Sequence, residues 1–181
     1  MTDLSDTCVA IVVDNYFEQA EFTGPKDALE AAGARVEVVA SGASGGKVQG
    51  LQHIDKADVF DCDKSLDDAN YDDYSAIVLP GGAINADHLR MEDKARDWVR
   101  RACDDGKPLA VICHAPWVLA SAGVADGKRL TSYHTIQDDM KNAGANWVDE
   151  EVVTDGNLIT SRNPDDVPAF SQTLIEMIKA K

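Results

Sequence analysis

Unbroken apolar runs, not alternating ones, dominate the hydrophobic pattern. Cys8-Val9-Ala10-Ile11-Val12-Val13 and Leu109-Ala110-Val111-Ile112 carry no polar position at all. Runs of this length suit strands buried on both faces of a parallel sheet. Arg35 to Ala40 and Tyr74 to Leu79 read as two further strands. Helical spacing lies between them. Ala28 to Ala32 predicts a helix ended by Gly33. Asp87 to Asp105 predicts a longer one, with Leu89, Ala95, Trp98, Val99 and Ala102 on one face. Ile136 to Ala143 predicts a helix ended by Gly144, and Val167 to Ala180 a closing amphipathic helix. Val48 to Phe60 suggests short antiparallel strands after a glycine-rich loop at Gly42 to Gly50, and Asp61 to Asp73 an acidic loop with a helical turn. Gly127 to Tyr133 reads as a turn and a short strand. Trp147 to Val153 and Leu158 to Ser161 read as strands joined at Asp155-Gly156-Asn157. Strands alternating with helices predict an α/β fold, a three-layer αβα sandwich on a mainly parallel sheet. With 181 residues and no linker or repeat, one domain over 1–181 is expected.

The most informative stretch is Leu109 to Gly123, LAVICHAPWVLASAG. Gly106-Lys107-Pro108 turns into the strand, and Pro116 suits the first turn of a short apolar helix closed by Gly123. Cys113 therefore stands where a buried strand turns sharply into a helix, the place a hydrolase elbow gives its nucleophile. Unpaired N–H groups at a helix start favour an anion. Cysteines so placed can have pKa values lowered from about 8.5 to roughly 3.5–7.5. The competing reading is a small buried hydrophobe. Pro80-Gly81-Gly82 ends another strand, and its glycines allow the close backbone approach of an anion-binding corner.

Charge and cysteine usage narrow the partners. The formal charge of −15 makes nucleic acid and anionic membrane surfaces poor partners. No run approaches the roughly 20 apolar residues of a membrane span, and MTDLSDTC has no signal-peptide character, so a cytoplasmic protein is expected. Cys8, Cys62, Cys103 and Cys113 show no C-x-x-C, and neither a disulfide framework nor a metal site is expected; Cys8 and Cys103 read as packing residues. Strand one is not followed by G-x-G-x-x-G, and Gly46-Lys47 is followed by Val48, so neither a dinucleotide site nor a P-loop is predicted, and no cofactor is expected.

AVICHAPWVLASAG, with LPGG at Leu79 to Gly82, FEQAEF at Phe17 to Phe22 and TSYHTIQDDMKNAGANWVDEEVVTDGNLITSR in the last third, resembles the PfpI family of the class I glutamine amidotransferase-like superfamily. The resemblance runs from about Cys8 to Ile178. It implies a flavodoxin-like sheet and a cysteine-dependent hydrolase of the intracellular peptidase or stress-protein type, with Cys113 as nucleophile. It implies that His114 pairs with Cys113, oriented by an acid from a neighbouring subunit; Asp87 of GGAINADHLR takes that place, with one residue inserted. Glu21, four residues before Pro25, is implied to lie against the thiol, where a protonated carboxyl would stabilise S⁻. Glu18, one turn earlier, reads as a surface or structural acid. The backbone N–H groups of Gly82, in the Gly81-Gly82 corner, and of His114, beside Cys113, are the expected oxyanion donors. Tyr133 matches a tyrosine near the family's pocket, where it gates the site, donates a proton or simply packs. His53, His88 and His134 read as ordinary surface or interface residues. Ala115 and Trp117 stand where the family often has glycine and glutamine or glutamate. The expected assembly is a homo-oligomer, dimer or hexamer, with the site at a subunit interface. The expected substrate is a peptide or protein, or alternatively a small aldehyde or its adducts in a glyoxalase or deglycase reaction. A third reading is a redox sensor or chaperone working through Cys113 oxidation. A glutamine amidotransferase subunit is not expected, since neither a synthetase domain nor that class's downstream His-x-Glu is read in this sequence.

Overall fold

The computed structural model describes residues 4–42 and 45–181. Seven strands form the main sheet in the order β11-β12-β8-β7-β1-β3-β6. These are β1 (Cys8–Val13), β3 (Arg35–Ala40), β6 (Lys64–Ser65), β7 (Ala76–Leu79), β8 (Leu109–Ile112), β11 (Val152–Asp155) and β12 (Leu158–Ser161). All pairings are parallel except β11 with β12. The five principal parallel strands run β3-β1-β7-β8-β12, the second, first, third, fourth and fifth in the chain, which is the flavodoxin-like order.

The unbroken apolar runs are explained by two cores. Cys8, Ala10 and Val12 of β1 and Leu109 and Val111 of β8 point into one of them. Val9, Ile11 and Val13 of β1, with Ala110 and Ile112 of β8, point into the other. The helices α1 (Gln19–Ala31) and α6 (Val167–Lys179) cover the second core through Phe22, Leu29, Phe170 and Leu174. Helices α3 (Asp93–Asp105) and α4 (Pro116–Ala122) cover the first through Trp98, Val99, Val118 and Leu119. This is the three-layer α/β sandwich. A side hairpin, β4 (Lys47–Gln52) with β5 (Asp55–Asp61), joins the two-residue strand β2 (Phe17–Glu18).

Three elements differ from the sequence-based expectation. The first helix begins at Gln19, not Ala28, and runs through Gly24-Pro25. Packing overrides the breaker signal: Phe17, Phe22 and Phe60 cluster with ring centroids 4.7–5.8 Å apart. A Cβ on Gly24 would collide with the Val167 side chain, so close α1–α6 contact requires glycine there. The expected Asp87 to Asp105 helix is two, α2 (Ala83–Leu89) and α3, broken at Arg90 to Glu92. Met91 at the break is 75% exposed and anchors nothing, while Arg96 Nη1 donates to the carbonyl of Arg90 at 2.6 Å. The expected Trp147 to Val153 strand is likewise split. Trp147 lies in β10 (Asn146–Trp147), which pairs with β9 (Arg129–Leu130), and Val152–Asp155 joins the main sheet. The acids between them turn outward to cations, Asp149 to Arg162 at 2.9 Å and Glu150 to Arg129. Part of the glycine-rich loop, 43–44, lies outside the described residues. The short helix α5 spans Gln137–Asn142, and among the described residues no helix is long and apolar enough to cross a membrane.

Candidate active site

In a doubly wound sheet the carboxyl ends of the strands, near the point where strand order reverses, hold the ligand crevice. Here the chain passes from β1 to β3 on one side and then to β7 on the other. A cavity of about 620 Å³ opens at that edge, lined among others by Glu18, Glu21, Gly82, Cys113, His114 and Tyr133. Those residues come from the segments after β1, β7 and β8 and from Tyr133 beyond β9.

Cys113 has φ +65°, a conformation rare outside glycine. Such a residue costs of order 1–3 kcal/mol and persists only where its surroundings hold it. Its N–H donates to Ser161 O at 3.0 Å and its carbonyl accepts from Tyr133 N–H at 2.7 Å, so neighbouring segments grip it on both sides. Helix α4 starts three residues later, with Pro116 in its first turn and Gly123 in the left-handed conformation at its end.

Adjacent side chains in a turn usually diverge, yet this backbone brings them together. Cys113 Sγ lies 3.1 Å from His114 Nδ1. The imidazole stacks on Tyr133 (centroids 4.7 Å, 26° between planes) and meets Trp117 edge-on at 5.4 Å. Burial, then the nearby His134, lower the His114 pKa, so the ring is neutral at pH 7. Asp87 is exposed on α2, and its carboxylate hydrogen-bonds no described residue of this chain.

Glu21 is fully buried in the first turn of α1. Its Oε2 accepts the Gly81 N–H at 2.8 Å, and its carboxyl lies against the Cys113 side chain beside the Gly81 backbone. The other oxygen, Oε1, is buried without a nitrogen or oxygen partner. Desolvation pushes the Glu21 pKa up to about 8, against the neighbouring Cys113 and the hydrogen bond from Gly81 N–H. Cys113 departs from the lowered value expected of a strand–helix turn. Burial first, and the negative charge of Glu21 second, push the thiol up, while the backbone N–H groups of Gly82 and His114 pull it down. The expectation weighed donors without the enclosure. Cys113 is only 5% exposed, and α4 is too short for its dipole to offset that. The resting site therefore holds a thiol, a neutral imidazole and a protonated carboxyl, with proton transfer to His114 available at the moment of attack.

The two glycines are required by contact. A Cβ on Gly81 would overlap Glu21 Oε2 and lie 2.5 Å from Cys113 Cβ. On Gly82 (φ +91°) it would lie 2.7 Å from Glu18 N and 2.8 Å from Tyr16 O. Gly81→Ala is expected to lower kcat about 100-fold by parting the carboxyl from the thiol. Steady-state kinetics beside a melting curve checks this, since a loss of stability alone would leave kcat of the folded fraction unchanged.

Several lining residues escape the motif reading. His53 and His134 face the cavity. Glu18 lines it too, accepting the N–H of His53 (φ +59°) at 3.0 Å through Oε2 and raising the Glu21 pKa by its charge. Asn163, Pro164 and Asp165 follow β12, and the rule that parallel strands deliver their loops to one edge could have found them. His88 instead pairs with Asp14 at 3.0 Å. Among the described residues, no three His, Cys, Asp or Glu side chains stand together as a metal-ligand set.

The DJ-1/PfpI family model matches residues 7–177. General stress protein 18 of Bacillus subtilis is 38% identical over 172 residues, 94% of this chain and 97% of that protein. The candidate cysteine protease YraA of the same organism is 37% identical, covering 94% and 98%. Protein/nucleic acid deglycase 2 of Escherichia coli is 38% identical, covering 95% and 98%. Among solved structures, Drosophila melanogaster DJ-1beta superposes with a TM-score of 0.86 at 32% identity, over 97% of this chain and 91% of that one. A strained cysteine at a strand–helix turn, a histidine on its sulfur and a buried acid beside it thus sit in a sheet shared with these proteins, and the chain belongs to the DJ-1/PfpI family.

Proposed function

We propose that this cysteine hydrolase acts on small carbonyl compounds and their adducts, with Cys113 as the nucleophile. The observation that carries the reading is the thiol itself, 3.1 Å from a neutral imidazole and 5% exposed in a cavity of about 620 Å³. A recessed sulfur suits an aldehyde or a single modified side chain better than the backbone of a folded chain. Attack forms the S–C bond as the thiol proton passes to His114 Nδ1 and the carbonyl electron pair moves to oxygen. Gly82 and His114 N–H groups and the protonated Glu21 carboxyl support the anionic sulfur and the developing oxyanion. With methylglyoxal, transfer of the hydrogen from C1 to C2 converts the hemithioacetal to a thioester. Water then releases a 2-hydroxy acid and restores the thiol. The internal transfer oxidises C1 and reduces C2, so no outside oxidant is needed. The relative named as a deglycase supports this reading.

The peptidase reading keeps the same attack with a backbone amide as the electrophile, and YraA favours it. Both readings take the chain as one domain that works in the cytoplasm, where Cys8, Cys62, Cys103 and Cys113 stay free thiols. Both also take the active form to be a homo-oligomer in which Asp87 of a second copy orients His114, since Asp87 is exposed and does not line its own chain's cavity. Methylglyoxal consumption, release of free arginine side chains from methylglyoxal-treated N-acetylarginine, and cleavage of a labelled peptide are measured side by side. Turnover of the first two without peptide cleavage is the expected result. Peptide cleavage alone would overturn the carbonyl reading.

A further inference from the structure

The geometry points to Asn85 as a positioning residue that aims both backbone donors of the Pro80-Gly81-Gly82 corner at the reactive pair. Asn85 lies in the first turn of α2 and is fully buried. Its Nδ2 donates to Pro80 O at 2.9 Å and to Gly81 O at 3.0 Å. Its Oδ1 accepts Asp14 N–H at 2.7 Å, so donors and acceptor are all engaged.

The consequence follows from peptide geometry. In a trans peptide the C=O and the next N–H point in opposite directions within one plane, and no cis bond occurs among the described residues. Pinning Pro80 O toward Asn85 therefore turns the Gly81 N–H the other way, onto Glu21 Oε2. Pinning Gly81 O, which also accepts Glu18 N–H at 3.2 Å, turns the Gly82 N–H toward the Cys113 sulfur. One side-chain amide thus orients two consecutive peptide planes and, through them, the carboxyl and the thiol. Glycines at 81 and 82 would otherwise leave this corner the freest backbone in the site.

Asn85 is itself held from behind. Asp14, at the end of β1 and 6% exposed, has its carboxylate fixed by Asn15 N–H at 2.6 Å, Ser41 Oγ at 2.7 Å and His88 Nδ1 at 3.0 Å. The series runs from Asp14 backbone to Asn85 side chain to glycine corner to Glu21 and Cys113. Asn85 touches neither sulfur nor cavity, so it acts through the corner alone. The titratable groups facing the sulfur are Glu21 and His114, with Glu18 and His134 next to them.

This inference rests on Cys113 being the reactive thiol, not on which carbonyl substrate it takes. The test therefore reads the thiol directly. Iodoacetamide alkylation of Cys113 is followed by mass against pH in the full chain. Asn85→Ala is expected to move the alkylation profile about one pH unit to the alkaline side, because both anionic forms lose an aimed donor. Alkylation at pH 7 is then about tenfold slower. Asn85→Asp keeps the shape and the acceptor for Asp14 N–H but removes both donors, and it covers the case in which the alanine variant does not fold. It should show the same displacement. A profile that superposes on wild type in a folded variant, even one with a lower melting temperature, would assign Asn85 to packing alone and overturn the proposal.

Discussion

Cys113→Ser is expected to lower turnover on the order of 10⁴-fold or more while leaving the melting temperature within a few degrees of wild type. Loss of a covalent nucleophile is typically of that size or larger. The replacement is nearly isosteric, keeps the same φ +65° strain, and leaves the grip of Ser161 O and Tyr133 N–H untouched. What changes is the acid. A serine hydroxyl gives up its proton far less readily than a thiol. The enclosure that already raises the Cys113 pKa would penalise an alkoxide more heavily still. His114, neutral and 3.1 Å away, accepts a proton readily from sulfur and poorly from oxygen. Steady-state rates on methylglyoxal beside a thermal melt check both halves. Residual turnover above about one tenth of wild type would remove Cys113 from the nucleophile's role.

Much of this site was legible because its local grammar is strong. A four-residue apolar run, a cysteine, a proline in the first helical turn and a closing glycine admit few backbone paths, and Cys113 falls on the path expected. The paired glycines at 81 and 82 likewise marked a close approach before its partner was known. Other features depend on distance in space. Glu21 could be placed against the sulfur only through resemblance, because its helix start is set by Phe17, Phe22 and Phe60 packing and not by any capping residue. The raised thiol was not legible either. A strand–helix turn advertises its N–H groups, but the enclosure comes from the packing of the surrounding elements. Asn85 gave no signal at all, since a lone asparagine in a helix is ordinarily solvent-facing and only the fold shows which carbonyls it meets.

Glu21→Gln should separate function from stability at this site, lowering kcat roughly 100–1000-fold while making the folded chain more resistant to alkali. In the wild type the carboxyl's pKa is about 8 against an ordinary 4.5, chiefly because a charge there is desolvated. Folding therefore favours the protonated form. That contribution is full below pH 4.5 and is lost as pH rises through about 8, amounting to about 4–5 kcal/mol over the interval. This is a large part of the 5–15 kcal/mol typical of a domain. A glutamine keeps an oxygen for the Gly81 N–H but cannot ionise, so its stability should stay flat over the same range. At pH 9 the variant should melt roughly 10 °C above wild type, and at pH 5 level with it or below. Activity should respond oppositely. The wild-type rate needs a neutral His114 and a protonated Glu21, so it rises to a plateau below pH 7 and falls above about pH 8. The variant should lose that alkaline limb along with most of its rate, because its amide can donate a hydrogen bond to sulfur but no proton to the oxyanion. Glu18→Gln serves as the control. It removes a charge that raises Glu21 without touching the thiol, so it should shift the alkaline limb to lower pH and leave the plateau within about threefold of wild type. Parallel stability curves for wild type and Glu21→Gln between pH 5 and 9 would mean that Glu21 does not titrate there, and the proton assigned to it would have to be placed elsewhere.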